Sequence, residues 1–115
     1  MKAEPPGLVA HIVDVLQDLG PVDCRRFFGG WGLRLHGVMF AWVTRAEDLY
    51  FSVDEALRGE LIAAGCVPFS YAKAKGVVVT QKFYAAPAGC IDDPDELCAW
   101  AARAIAAAGR RAAAS

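Results

Sequence analysis

Histidine is almost missing from this chain, and no two cysteines stand at a metal-binding spacing. His11 and His36 are the only imidazoles. Cys24, Cys66, Cys90 and Cys98 include no Cys-x-x-Cys pair and have no histidine close by in sequence, whereas zinc sites show paired ligands at short spacing. No metal site is expected, and the thiols read as small buried apolar side chains. A reducing cytoplasm argues against structural disulfides. Neither sign of charge is in excess: the formal net charge is -1, so there is no global field for nucleic acid and no acidic tail. No apolar run approaches the length of a bilayer-spanning helix. Met1-Lys2-Ala3-Glu4-Pro5-Pro6 lacks the apolar segment of a signal peptide. These absences point to a soluble, cytoplasmic protein without membrane association.

Hydrophobic residues make up 56% of the 115 positions. That is enough for the core of a single domain over residues 1–115 without covalent staples. Residues 7–19 read as a helix, with Leu8, Ile12, Val15, Leu16 and Leu19 on one face and His11 and Asp14 off it. Gly20-Pro21 stops it. Residues 24–28 and 31–35 read as strands, the second alternating Trp31, Leu33 and Leu35 against Gly32, Arg34 and His36. His36-Gly37 sits where a two-residue hairpin turn belongs. Residues 38–44 follow, with Met39, Ala41 and Val43 directed one way and Phe40 and Trp42 the other. Both faces are apolar, so this strand is expected to be central and covered on both sides. After Arg45-Ala46-Glu47-Asp48 comes a strand at 49–53.

A second helix begins near Ser52, with either a Ser52-x-x-Glu55 capping box or an Asp54 cap, and ends at Gly65. Short strands at 69–72 and 77–84 flank Lys73-Ala74-Lys75-Gly76. The last helix opens with Asp93 as cap, Pro94 at N1 and Glu96 at N3. Its inner face is Leu97, Ala101, Ala104, Ile105 and Ala108, and residues 112–115 are expected to fray. The fold class is α+β: an antiparallel sheet of about five strands with three helices, in the order helix, three or four strands, helix, two strands, helix.

The most distinctive stretch is Arg25-Arg26-Phe27-Phe28-Gly29-Gly30-Trp31-Gly32-Leu33. Glycines around a tryptophan mean backbone that needs positive φ or close approach. The block marks a tightly packed sheet corner or a binding surface. It leads into a strand with no Gly-Lys-Ser/Thr after it, unlike a phosphate loop. Gly29, Gly30 and Gly32 therefore read as structural, at a bend in the sheet. Arg25 and Arg26 fall on opposite faces of their strand. One of them, with Lys73, Lys75 and Lys82 and with Trp31 or Tyr84 nearby, would line a basic strip suited to RNA or DNA. Alternatively these charges guard sheet edges against pairing. Neither histidine has a nucleophile or carboxylate placed beside it by the sequence. Asp92, Asp93, Asp95 and Glu96 are explained by helix capping, and no catalytic residue or cofactor is expected.

Arg25-x-Phe27-Phe28-Gly29-Gly30-x-Gly32-Leu33 resembles the hallmark of the TfoX N-terminal domain family. So do Gly37-Val38-Met39-Phe40-Ala41, Leu49-Tyr50-Phe51, Asp54-Glu55-Ala56, Pro68-Phe69-Ser70-Tyr71 and Lys82-Phe83-Tyr84-Ala85-Ala86-Pro87, in that order. Phe27 stands where that pattern usually has methionine, Arg34 and Phe83 where it has tyrosine, and Ser52 where it has lysine. The resemblance implies a secretion-chaperone-like α+β fold and a stand-alone N-terminal domain. It implies kinship with the Sxy/TfoX regulators of competence, which act with the cyclic-AMP receptor protein. The expected function is a non-enzymatic regulatory domain that binds a protein partner, such as a transcription regulator. Self-association is a further expectation, because Phe40 and Trp42 face away from Met39 and Val43. The alternative is a nucleic-acid-binding module.

Overall fold

Two tight turns set the first half of the fold. Phe28 and Gly29 have φ of 45° and 77°, and His36 and Gly37 have 51° and 82°. Consecutive positive φ values are the mark of the two-residue hairpin turn whose twist matches paired strands. A computed structural model describes residues 6–114; the N-terminal reading at residues 1–5 lies outside the described residues, as does Ser115. The elements are α1 (Gly7–Leu16), β1 (Val22–Phe27), β2 (Gly30–Leu35), β3 (Val38–Val43), β4 (Leu49–Ser52), α2 (Glu55–Ala63), β5 (Pro68–Lys73), β6 (Gly76–Ala85) and α3 (Pro94–Ala114). The strands form one antiparallel sheet in the order β1-β2-β3-β4-β6-β5. This is the expected α+β class with six strands rather than five.

Side-chain hydrogen bonds fix the helix ends. α1 stops at Leu16, three residues short of the expected end, and tightens into one 3₁₀ turn, Gln17–Leu19. The Gln17 amide donates to the carbonyls of Val13 and Val22 at 3.0 and 2.9 Å, which ties the helix end to the start of β1. α2 is capped by Asp54, not by the Ser52 box: its Oδ1 accepts from the Leu57 amide at 2.9 Å. Asp93 caps α3, accepting from the amides of Asp95 and Glu96. α3 continues to Ala114 instead of fraying from residue 112. Alanine has the best helix propensity, and Arg111 in the last turns donates to Ser52 Oγ at 2.8 Å.

All three helices bury their apolar stripes in one cluster on one face of the sheet. Ile12 and Leu16 of α1, Leu57 and Leu61 of α2, and Leu97, Ala101 and Ala104 of α3 meet Leu33, Phe40, Val43 and Phe51. A side chain such as Phe51 contributes about 1.5–3 kcal/mol on full burial. The expected alternation in β3 fails at one point. Leu33 pairs with Ala41, but the next residue, Arg34, pairs with Met39. Phe40 is the extra residue of a β-bulge. It turns into the core beside Ala41 and is fully buried, while Trp42 keeps to the opposite face. β3 is central, as expected. Helices cover it on one side only; aromatic rings cover the other.

Candidate functional site

The β5–β6 hairpin shapes the helix-free face. Residues 83–85 of β6 pair with β4, whereas residues 76–79 pair only with β5, and the β5 register slips between Pro68 and Ser70. The far half of the hairpin is thus an arm free of β4. Neighbouring strands are spaced about 4.7–4.9 Å, so a flat sheet would hold β3 and β5 about 14 Å apart. The Trp42 and Phe69 ring centroids are instead 4.6 Å apart. The sheet curls, and the curl encloses a groove of about 760 Å³, within the range of ligand-binding clefts.

Phe27 at the end of β1 and Phe28 of the first turn form one wall of this groove. Phe69 and Tyr71 form the facing wall, Trp42, Tyr50 and Phe83 the floor, and Arg45 and Asp48 of the β3–β4 loop close one end. The rings meet mostly edge to face. Trp42 lies against Phe27 at 5.5 Å and 88°, and Tyr50 against Phe69 at 5.3 Å and 85°. Such pairs contribute about 0.5–1.5 kcal/mol each beyond their buried area. Phe69 and Tyr71 alone among the described ring pairs are stacked, at 5.9 Å and 29°. Burial, and secondarily the Asp48 carboxylate, push the Tyr50 phenol above its usual value. Trp42 is 5% exposed, and its buried indole N–H has no hydrogen-bond partner among the described residues.

Charge is partitioned between the two sides of the molecule. Residues 22–52 and 68–85, which carry the sheet, hold seven lysines and arginines against three acidic residues. The remaining residues hold five against ten. The sheet therefore carries a positive excess that the net charge conceals. Three of its cations lie on the groove face, two of them at the groove itself. Arg45 lines it. Arg25 pairs with Gly32, which pairs with Trp42, so register places it on the Trp42 face. Lys73 lies with its Nζ 5.7 Å over the Tyr71 ring.

The residues singled out in the sequence do not all come together. Arg25 and Lys73 share the groove face, and Lys75 stands exposed at the tip of the β5–β6 hairpin. Arg26 lies over the Trp31 ring at 5.4 Å, and Trp31 packs half-buried against the helix-side core. Tyr84 is buried in that core, its hydroxyl donating to Gln81 Oε1 at 3.1 Å. A single strip holding Arg26, Trp31 and Tyr84 with Lys73 and Lys75 is not formed, because pairing with Val43 and Phe51 directs both rings to the helix side. Positive φ falls on Phe28 and Gly29, not on Gly30. Gly30 is confined by close approach: a Cβ there would land on the Val43 carbonyl. A Cβ on Gly32 would lie 2.6 Å from the Met39 sulfur. The groove residues Trp42, Tyr50, Phe69, Tyr71 and Phe83 are not among the sequence candidates. Their signal is the i, i+2 aromatic spacing of Phe69 and Tyr71, together with the second apolar face at Trp42.

Among the described residues no three His, Cys, Asp or Glu side chains converge as metal ligands, and no helix is long and apolar enough to cross a membrane. His36 stands exposed in the β2–β3 turn and His11 on the outer face of α1. Compared with known proteins, the chain is matched over residues 14–108 by the TfoX N-terminal domain family model. No curated protein matches it.

Proposed function

The chain belongs to the TfoX N-terminal domain family, and on that premise we propose that it is a non-enzymatic, cytoplasmic regulatory domain that binds a protein partner through the aromatic groove. The partner we have in view is a component of transcription regulation. The observation that carries the reading is the groove itself: a concave, mostly apolar cleft with exposed aromatic walls on a sheet face that no helix covers. Aromatic residues and arginine are the types enriched at protein interfaces. The groove lining contains no histidine and no cysteine, the residue types that most often supply a general base or an activated nucleophile.

Nucleic acid is the second reading, and the positive excess of the sheet favours it. The division of Arg26, Trp31 and Tyr84 from Lys73 and Lys75 weighs against it. The test is co-purification from an extract of the native cells with wild type, Tyr71→Ser and Phe28→Asn as parallel baits. A partner retained by wild type and lost with both variants supports the reading. Identical retention by all three removes the groove from it.

A further inference from the structure

We infer that the groove accepts an extended acidic peptide segment bearing a large apolar anchor, the anchor seating between the Phe28 and Tyr71 walls and its flanking carboxylates meeting Arg45 and Lys73. This inference rests on the protein-interaction reading above and adds the chemistry of the partner.

Phe28 is the first observation. Its φ of 45° places a bulky residue in the left-handed region, at a cost of about 1–2 kcal/mol. The two-residue turn it occupies is best served by Asn-Gly. Its ring is 82% exposed, so burial repays little of that strain within the free protein. The turn accounts for the positive φ, as it does at His36, but not for a phenylalanine there, and residues held in sparsely populated backbone regions cluster at binding sites. Here it holds an aromatic ring at the lip of the groove, 4.5 Å from Phe27. Tyr71, 42% exposed, stands on the facing wall. Two exposed rings across a cleft form the socket that an aromatic or large aliphatic anchor fills.

Charge complementarity is the second observation. Arg45 lines the groove and Lys73 lies over its Tyr71 ring, with Asp48 as the acidic residue lining it; Arg25 adds a further cation on the same face of the sheet. The other sheet-strand arginines are engaged elsewhere: Arg34 with Asp23 at 2.9 Å and Arg26 over Trp31. An apolar anchor with an acidic surround matches this field. A nucleic-acid strand fits it less well. Its backbone calls for a continuous track of cations, and its bases call for exposed ring faces. The floor ring, Trp42, is buried and surrounded edge to face.

Fluorescence anisotropy of the full 115-residue chain tests the inference. The probe is a fluorescein-labelled dodecapeptide alternating glutamate with leucine around one central phenylalanine. The comparison probes are the same peptide with lysine for glutamate, the glutamate peptide with serine for every apolar residue, and labelled oligothymidine. Saturable binding of the first probe alone is expected, weakened about tenfold or more by each of Tyr71→Ala, Arg45→Glu and Phe28→Asn. All three positions are solvent-exposed, and thermal melts confirm that the variants fold. Failure of the acidic peptide to saturate by about 1 mM, equal binding of the lysine peptide, or unchanged affinity in the variants overturns the inference. Preference for oligothymidine overturns it in favour of nucleic acid. If the acidic peptide fails while the co-purified partner still depends on Tyr71 and Phe28, the acidic chemistry is wrong and the protein-interaction reading stands. If both fail, both fall.

Discussion

Trp42 and Phe69 meet edge to face, ring centroids 4.6 Å apart, with strands β4 and β6 between their own strands in the sheet. This contact anchors β5 at the register slip where the free half of the β5–β6 hairpin begins. Phe69→Ala is expected to loosen the arm without unfolding the sheet. Loss of a half-buried ring and its edge-to-face partners amounts to about 2 kcal/mol. Amide exchange in β5 should then rise about thirtyfold, with β2 and β3 close to their wild-type rates. Uniform acceleration across all strands would show that the arm does not open as a separate unit.

Phe28→Asn is expected to stabilise the protein. Asparagine tolerates the left-handed region, and the turn becomes Asn-Gly. The ring gives up little buried area because it is 82% exposed. Its edge contact with Phe27 offsets part of the gain. A net increase of about 0.5–1 kcal/mol, seen as a rise of a few degrees in Tm, is expected. A fall in Tm would mean that the ring's contacts outweigh the strain.

Two glycine substitutions should have opposite signs. Gly30→Val places a Cβ on the Val43 carbonyl and the Thr44 backbone, neither of which can swing aside. Destabilisation above about 2 kcal/mol is expected. Gly59 in α2 has nothing within 4 Å of an added Cβ. Gly59→Ala should add up to about 1 kcal/mol through helix propensity. Chemical denaturation of the pair decides both, and a stable Gly30→Val would sink the close-approach account.

Burial, followed by the Glu96 and Asp93 carboxylates, pushes the Cys90 thiol up to about 11. At pH 8 only about one part in a thousand is thiolate, the reactive form. Burial raises Cys24, Cys66 and Cys98 as well, but all three are partly exposed. Mass spectrometry after brief iodoacetamide treatment at pH 8 should find Cys90 unmodified in the native protein and modified in denaturant. Rapid native labelling of Cys90 would contradict its placement in the core.

Asp54 couples α2 to α3. Its carboxylate accepts from Arg110 at 2.7 Å and from the Leu57 amide at 2.9 Å. The Arg110 hydrogen bond first, then that amide, hold its pKa below the usual carboxylate value. A depressed folded-state pKa contributes stability above the unfolded value, about 3.9, which is lost as pH falls through the lower folded one. Asp54→Asn keeps a competent cap and removes the charge. The gap in Tm between wild type and this variant should be full at pH 7 and narrow steadily below about pH 4. It should also shrink in high salt, since Arg110 is exposed. A gap that widens on acidification would reverse the assignment.

The β2–β3 turn and the start of α3 are legible in the sequence because they are local: His36-Gly37 sits between apolar runs, and Asp93-Pro94 states its own helix start. The first turn is displaced by one residue from its reading at Gly29–Gly30, to Phe28–Gly29, and the place of β6 between β4 and β5 rests on pairing that is not local. The bulge at Phe40 is invisible in the sequence, since it is a mismatch between β2 and β3 and belongs to neither strand alone. The groove is hidden for the same reason. Alternation separates two faces of a strand but does not say which one meets the helices. Trp31 and Tyr84 therefore read as candidate surface residues, although pairing with Val43 and Phe51 turns them inward. Trp42 and Phe69 come together only through the curl of the sheet.

The bulge in β3 also divides the labour of two neighbouring aromatics. Phe40 answers to the helix-side core, Trp42 to the rings of the groove. Relatives that trade one helix residue for another should adjust position 40 and leave position 42 untouched. Relatives that change the other rings of the groove should do the reverse. A deletion of one residue anywhere in residues 39–41 would merge the two roles, putting a single side chain where the sheet needs one for each side.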